Sequence, residues 1–158
     1  MANPASATLT RDSEIELRPV RAEDYRFAWR LYAEGIRPYA AAYMAWVDAE
    51  QEARFESRYK PGSTWVIRRD GTDVGWMELH EIDEELRLNQ LYVAAAQQRK
   101  GIGSQVMRQV LAKSRETGKP IALNVLKNNP ARRLYERFGF TVVGENEMKF
   151  FMTRPTER

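Results

Sequence analysis

The stretch Gln98-Arg99-Lys100-Gly101-Ile102-Gly103-Ser104 joins two segments of different periodicity. Ahead of it, Leu86 to Val93 alternates like a strand. Behind it, Ile102, Val106, Met107, Val110 and Leu111 fall on one face of a helix that Gly118 closes. Glycines at a strand-to-helix turn let the backbone approach a bulky anion. The N–H groups of the first helical turn then face that anion with the helix dipole behind them. Arg99 and Lys100 add full positive charge at the same place. The turn therefore predicts a cradle for a diphosphate. Its spacing is neither the G-x-x-x-x-G-K-[ST] of a P-loop nor the G-x-G-x-x-G that opens a dinucleotide fold.

The strand before the turn carries a second signal. Leu86 and Leu88 alternate on one phase, Leu91 and Val93 on the other. Side chains on a strand repeat every two residues, so one extra residue near Asn89-Gln90 would return both pairs to one face. That is the mark of a β-bulge, a feature found beside functional sites. A strand buried on both faces would give the same pattern without a bulge.

Working outward, residues 1–13 are small, polar and aperiodic and read as a loose tail, leaving 14–158 as one domain. Ile15 to Arg18 reads as a first strand. Ala22 to about Arg37 is helical, with Tyr25, Trp29, Tyr32 and Ile36 near helical spacing, and Pro38 is expected to end it. A second helix spans about Asp48 to Tyr59. Thr64 to Arg69 and Asp73 to His80 form a hairpin around Asp70-Gly71. Beyond the turn lie a buried strand, Pro120 to Leu126, and a helix opened by Asn128-Asn129-Pro130 and ended by Gly139. Two last strands, Phe140 to Gly144 and Met148 to Thr153, finish the chain. The order β-α-α-β-β-β-α-β-α-β-β predicts an α/β fold: a mixed sheet of six to seven strands with helices on both faces.

The 158 residues include no cysteine, so disulfides, thiolate nucleophiles and cysteine-ligated metals are excluded. No apolar run approaches the ~18 residues of a spanning helix, and no basic-then-apolar leader is present, so a soluble cytoplasmic protein without a membrane partner is expected. Charge is unevenly spread. Residues 97–140 hold ten Lys/Arg and two Glu, whereas the remainder holds fifteen basic and twenty acidic residues. A basic segment beside a phosphate-type turn suits a polyanionic small molecule. Nucleic acid is disfavoured, because no aromatic strand motif or DNA-binding module accompanies the charge.

The spacing Gln98-x-x-Gly101-x-Gly103 resembles the acyl-CoA signature of the GNAT superfamily of N-acetyltransferases. Asn128-x-x-Ala131-x-x-x-Tyr135-x-x-x-Gly139-Phe140 resembles a second motif of that family, with Asn128 and Asn129 both open as its asparagine. The resemblance implies a mostly antiparallel GNAT-like sheet and acetyl transfer from acetyl-CoA, without a metal, to a primary amine on a small molecule or a peptide. Gln98, Gly101, Ile102, Gly103 and Ser104 would hold the pyrophosphate, steadied by Arg99 and Lys100. Leu91, Tyr92 and Val93 would pair with the pantetheine arm like an added strand. An N–H near Leu91 would polarise the thioester carbonyl. Asn128, Asn129 and Tyr135 would complete the cofactor contacts, and Tyr135 would protonate the leaving thiolate.

Some family members place a basic glutamate on the bulged strand. Counting back from the glycine turn, that position here is Arg87, which cannot serve. Glu78 and His80, two apart on the preceding strand and so on one face, are substitutes, and a water chain is a third option. For the acceptor, Tyr39, Tyr43, Trp46 and Asp48, with Trp76 and Glu78 opposite, offer aromatics beside carboxylates, which suits a small cationic amine or a lysine-bearing peptide. The same aromatics would serve equally as core or homodimer contacts. A CoA-binding sensor without turnover and a nucleic-acid-binding protein are the competing functional readings.

Overall fold

The computed structural model describes residues 14–156, so the tail expected over 1–13 lies outside the described residues. Within them, β1 (Ile15–Pro19), β2 (Thr64–Arg69), β3 (Thr72–Glu81), β4 (Leu86–Val93), β5 (Ile121–Leu126), β6 (Thr141–Glu145) and β7 (Lys149–Arg154) form one sheet in the order β1-β2-β3-β4-β5-β7-β6. Every neighbouring pair is antiparallel except β4 and β5. Four α-helices interleave: α1 (Tyr25–Ala40), α2 (Asp48–Arg58), α3 (Ile102–Thr117) and α4 (Ala131–Arg137). The element order read from periodicity is the order observed.

Both faces of the sheet are covered. Trp76 and Met77 are adjacent on β3 and point to opposite sides. Met77 joins a cluster with Leu86, Leu88, Ile121 and Leu123 of the sheet and Ile102, Val106, Met107 and Val110 of α3. Trp76 joins Ala28 and Leu31 of α1 and Phe55 of α2, ringed by Tyr25, Trp29, Tyr32, Tyr59 and Tyr92. The five apolar residues expected on the inner face of α3 are all buried, and Gly118 caps the helix with a left-handed φ of 72°. At the hairpin, Asp70 and Gly71 both have positive φ, 52° and 77°, as a two-residue turn of this hand requires.

Two features of β4 position the site. Its register against β3 runs Glu78↔Gln90 and then Leu79↔Leu88, leaving Asn89 as the extra residue of a bulge. The parity change seen in the sequence has this cause, and Leu88, Leu91 and Val93 accordingly all pack on the α3-side cluster. Second, β4 pairs with β3 as far as Val93 but with β5 only from Leu86 to Leu88. Past the bulge the two parallel strands part, and the β5-side edge of β4 is open to a ligand strand.

Pro38 does not end its helix. It lies inside α1, which runs on to Ala40. In the last turn a proline removes only its own bond to the carbonyl four residues back. The N–H of Ala41 still bonds Arg37 O at 3.0 Å, and the helix closes around the loss.

Candidate active site

The turn after β4 has a backbone geometry that could cradle an anion. Arg99 and Gly101 both adopt left-handed conformations, with φ of 65° and 78°. For Arg99 this is an uncommon backbone state for a residue with a side chain. Gly101 is the N-cap of α3; no side chain caps that end and no acid stands in its first turn. The first intrahelical bond is Gln105 N–H to Gly101 O, at 3.0 Å. The N–H groups of Ile102, Gly103 and Ser104 precede it and have no partner within the helix. Gln98 fastens the turn to the strand through Nε2–H···O=C of Val93 at 2.9 Å. A Cβ on Gly103 would sit 3.2 Å from Leu134 Cδ2, so this glycine also lets α3 approach α4.

Beside the cradle is a cavity of about 520 Å³ lined by Gln98, Arg99, Gly101, Ile102, Gly103 and Ser104, by Leu91, Tyr92 and Val93 of β4, and by the start of α4. On the other side of the parted strands is a cavity of about 250 Å³ beneath α1 and α2, with Glu78, Asn89 and Gln90 on its floor. The two share a wall of five residues: Leu91, Tyr92, Asn129, Ala131 and Tyr135. A group held in the cradle and a group held over Glu78 would meet at this wall.

Tyr135 stands there on α4, 8% exposed, its ring edge-on to Phe140 at 5.9 Å. Burial pushes its phenol up to about 12, so it stays protonated across the neutral and mildly alkaline range. Burial also raises Tyr92 well above the usual phenol value, and its hydroxyl donates to Gln90 Oε1 at 2.6 Å. Glu78 is 5% exposed. Its Oε2 lies 2.5 Å from His80 Nε2 and accepts from Asn89 Nδ2 at 3.2 Å. The bulge therefore supplies a side-chain partner to the buried carboxylate, which no local sequence signal announces.

Other expected site residues fall elsewhere. Lys100 is not on the cradle cavity; its carbonyl accepts a 3.5 Å contact from Arg69. Asn129 accepts from the Ala131 N–H at 2.9 Å and lines both cavities, whereas Asn128 lines neither and donates to Tyr39 O at 3.1 Å. Of the residues expected around an acceptor, Trp46 and Glu78 share the smaller cavity. Tyr39 lines the cradle side. Tyr43 is exposed on the turn after α1 and lines neither cavity. Trp76 is fully buried, with its indole N–H on Ala28 O at 3.1 Å, so it belongs to the core. Sequence reading passed over Tyr32, Gln51, Arg54, Phe55 and Arg58 as site residues, and all five line the smaller cavity. Among the described residues no cluster of His, Asp or Glu could hold a metal ion, and no helix is long and apolar enough to cross a membrane.

The family model of the acetyltransferase (GNAT) family matches residues 17–140. No curated protein sequence matches the chain. Among solved structures, PaiA N-acetyltransferase from Thermoplasma acidophilum in complex with coenzyme A superimposes with a TM-score of 0.73 at 19% identity, covering 90% of this chain and 99% of that one. An acetyltransferase from Thermus thermophilus gives 0.70 at 17% identity, covering 92% and 99%. The ribosomal-protein-S18-alanine N-acetyltransferase from Escherichia coli gives 0.65 at 17% identity, covering 91% and 95%. At these identities the likeness establishes a common fold.

Proposed function

Because the chain belongs to the acetyltransferase (GNAT) family, we propose that it moves an acetyl group from acetyl-CoA to a primary amine by direct attack. The observation that supports this reading is the shared wall. A cavity built on an uncapped helix N-terminus meets a cavity holding a buried carboxylate at Leu91, Tyr92, Asn129, Ala131 and Tyr135.

The residues present suit acetyl-CoA. The uncapped first turn of α3 and the left-handed Arg99 and Gly101 would hold its diphosphate. The open edge of β4 from Asn89 to Val93 would pair with its amide arm. When bound, it supplies an activated acetyl thioester. Glu78 and His80 would take the proton that the acceptor ammonium must lose, leaving a nucleophilic nitrogen. As the new N–C bond forms and the C–S bond breaks, the attacking nitrogen would shed its second proton to solvent, while Tyr135 would give its hydroxyl proton to the departing sulfur and recover one from solvent. Positioned acid–base groups of this kind contribute roughly 10²–10⁴ in rate. A backbone donor at the β4 edge near Leu91 would stabilise the developing oxyanion.

Release of free CoA thiol from acetyl-CoA over a panel of primary amines tests the reading, alongside calorimetry of CoA binding. Turnover with heat on titration is expected. Binding without turnover of any amine would reduce the protein to a CoA-responsive module, and no heat at all would remove the cofactor assignment.

A further inference from the structure

The smaller cavity has a charge pattern opposite to the one expected from the aromatic residues of the sequence. Its charged lining groups are Glu78, Arg54, Arg58 and Lys149. Arg54 and Arg58 stand one turn apart on α2, the spacing that puts side chains on one helix face. That face also carries Gln51 and Phe55 into the cavity. Both guanidinium groups act on Tyr32, whose phenol is raised by burial and drawn back down by Arg58 and Arg54. Among the described residues neither arginine side chain has a carboxylate within ion-pair distance, although acids are plentiful on the same helix. Glu52 is engaged by the Tyr25 hydroxyl, and Asp48 by Trp46 and Arg37. Arg54 and Arg58 thus bring two like charges to one opening whose lining holds a single carboxylate, Glu78, which pairs with His80 rather than with either arginine.

We infer that the acceptor is a small amine bearing a carboxylate, with its nitrogen over Glu78 and its carboxylate on Arg54 and Arg58. The inference rests on the acetyl-transfer reading and names the substrate class of that site. Guanidinium groups bind carboxylates through paired N–H donors and are the preferred partners for such planar anions. An amine that carried only positive charge would meet Arg54, Arg58 and Lys149 with Glu78 as the one carboxylate of the lining. The volume of about 250 Å³ is below the ~300–1,000 Å³ usual for drug-sized ligands, which suits an amino acid rather than a folded partner. Ile36, Met44, Trp46 and Phe55 give the cavity apolar walls for a hydrocarbon side chain.

The test is a kinetic panel of α-, β- and γ-amino acids, each beside its amide and the amine lacking the carboxyl group, and short peptides with acidic second residues. Carboxylate-bearing small amines should exceed their amides at least tenfold in kcat/KM. Arg54→Gln/Arg58→Gln should bring that ratio near one and leave the KM for acetyl-CoA within about twofold. Arg54→Glu/Arg58→Glu should reverse the preference towards cationic amines. Both arginines are exposed, and circular dichroism checks that the variants fold. Calorimetry of the preferred amino acid on the CoA-loaded protein gives a second readout, with heat expected from the parent and lost in the double variant. Equal turnover of acids and amides, a preference that survives the double variant, or acetylation of peptides alone would each overturn the inference while leaving acetyl transfer intact. Turnover of no amine would bring down both.

Discussion

Glu78 and His80 face each other at 2.5 Å from alternate positions of β3, and the oxygen they share is also the one that Asn89 reaches from the bulge of β4. Among the described residues all of the Glu78 side-chain hydrogen bonding falls on Oε2, which leaves Oε1 of a carboxylate that lines the smaller cavity. In the proposed reaction the pair would receive a proton at Glu78 and pass it to His80, whose side chain is 26% exposed. Glu78→Gln should lower kcat by ~10²-fold or more with little effect on acetyl-CoA affinity. His80→Ala should cost less than Glu78→Gln. If both variants keep the parent kcat, the proton leaves through solvent instead.

Burial keeps the Tyr135 hydroxyl protonated, the state that the proposed acid needs. With burial pushing the phenol up to about 12, no loss of activity from its ionisation should appear until well above pH 10. Tyr135→Phe keeps the ring contact with Phe140 and removes only the hydroxyl. It should lower kcat roughly 10²-fold while the dissociation constant for CoA, measured by calorimetry, changes little. Unchanged turnover would take Tyr135 out of the chemistry.

The cradle depends on two glycines for different reasons. Gly101 is left-handed, where a Cβ costs about 1–2 kcal/mol, while Gly103 faces Leu134 across α3 and α4. Gly101→Ala should weaken CoA binding through the turn geometry alone. Gly103→Asp adds bulk beside Leu134 and a negative charge where the diphosphate would lie, and should abolish detectable binding. Retained affinity in Gly103→Asp would place the diphosphate elsewhere.

How far such a site can be read from sequence depends on the range of the interaction. The bulge at Asn89 was legible because strand periodicity is strict, so one extra residue reverses the parity of Leu91 and Val93. The cradle was legible because it is built from consecutive residues with special backbone demands. Trp76 shows where that reasoning stops. It shares its parity with Glu78 and His80, and alternation places all three on one face. Alternation does not say how far along the strand the helices reach, and α1 and α2 seal Trp76 while leaving Glu78 over a cavity. Arg54 and Arg58 show the converse. On α2 they look like ordinary solvated charges, and only the packing of α2 against α1 turns them towards the site.

The first helix is anchored by a carboxylate outside the site, which gives a stability prediction independent of the chemistry. Arg18 of β1 donates Nη1–H to Asp24 Oδ2 at 2.8 Å and Nη2–H to Oδ1 at 2.9 Å, and Nη2 also reaches Asp73 at 3.1 Å. The Arg21 N–H adds a bond of 2.7 Å to the same carboxylate, which is 7% exposed. The Arg18 hydrogen bonds hold Asp24 below the ordinary carboxylate range despite its burial. Asp24→Asn leaves Asp73 as the one carboxylate on Arg18 and should cost about 3 kcal/mol at pH 7. Since the folded-state value is below the unfolded one, ~3.9, the advantage over the variant is complete above that pH and disappears as pH falls through the lower, folded value. Urea unfolding of both proteins from pH 7 downwards measures it. A difference that stayed constant into strong acid would mean that the charge of Asp24 is not what holds the entrance to α1.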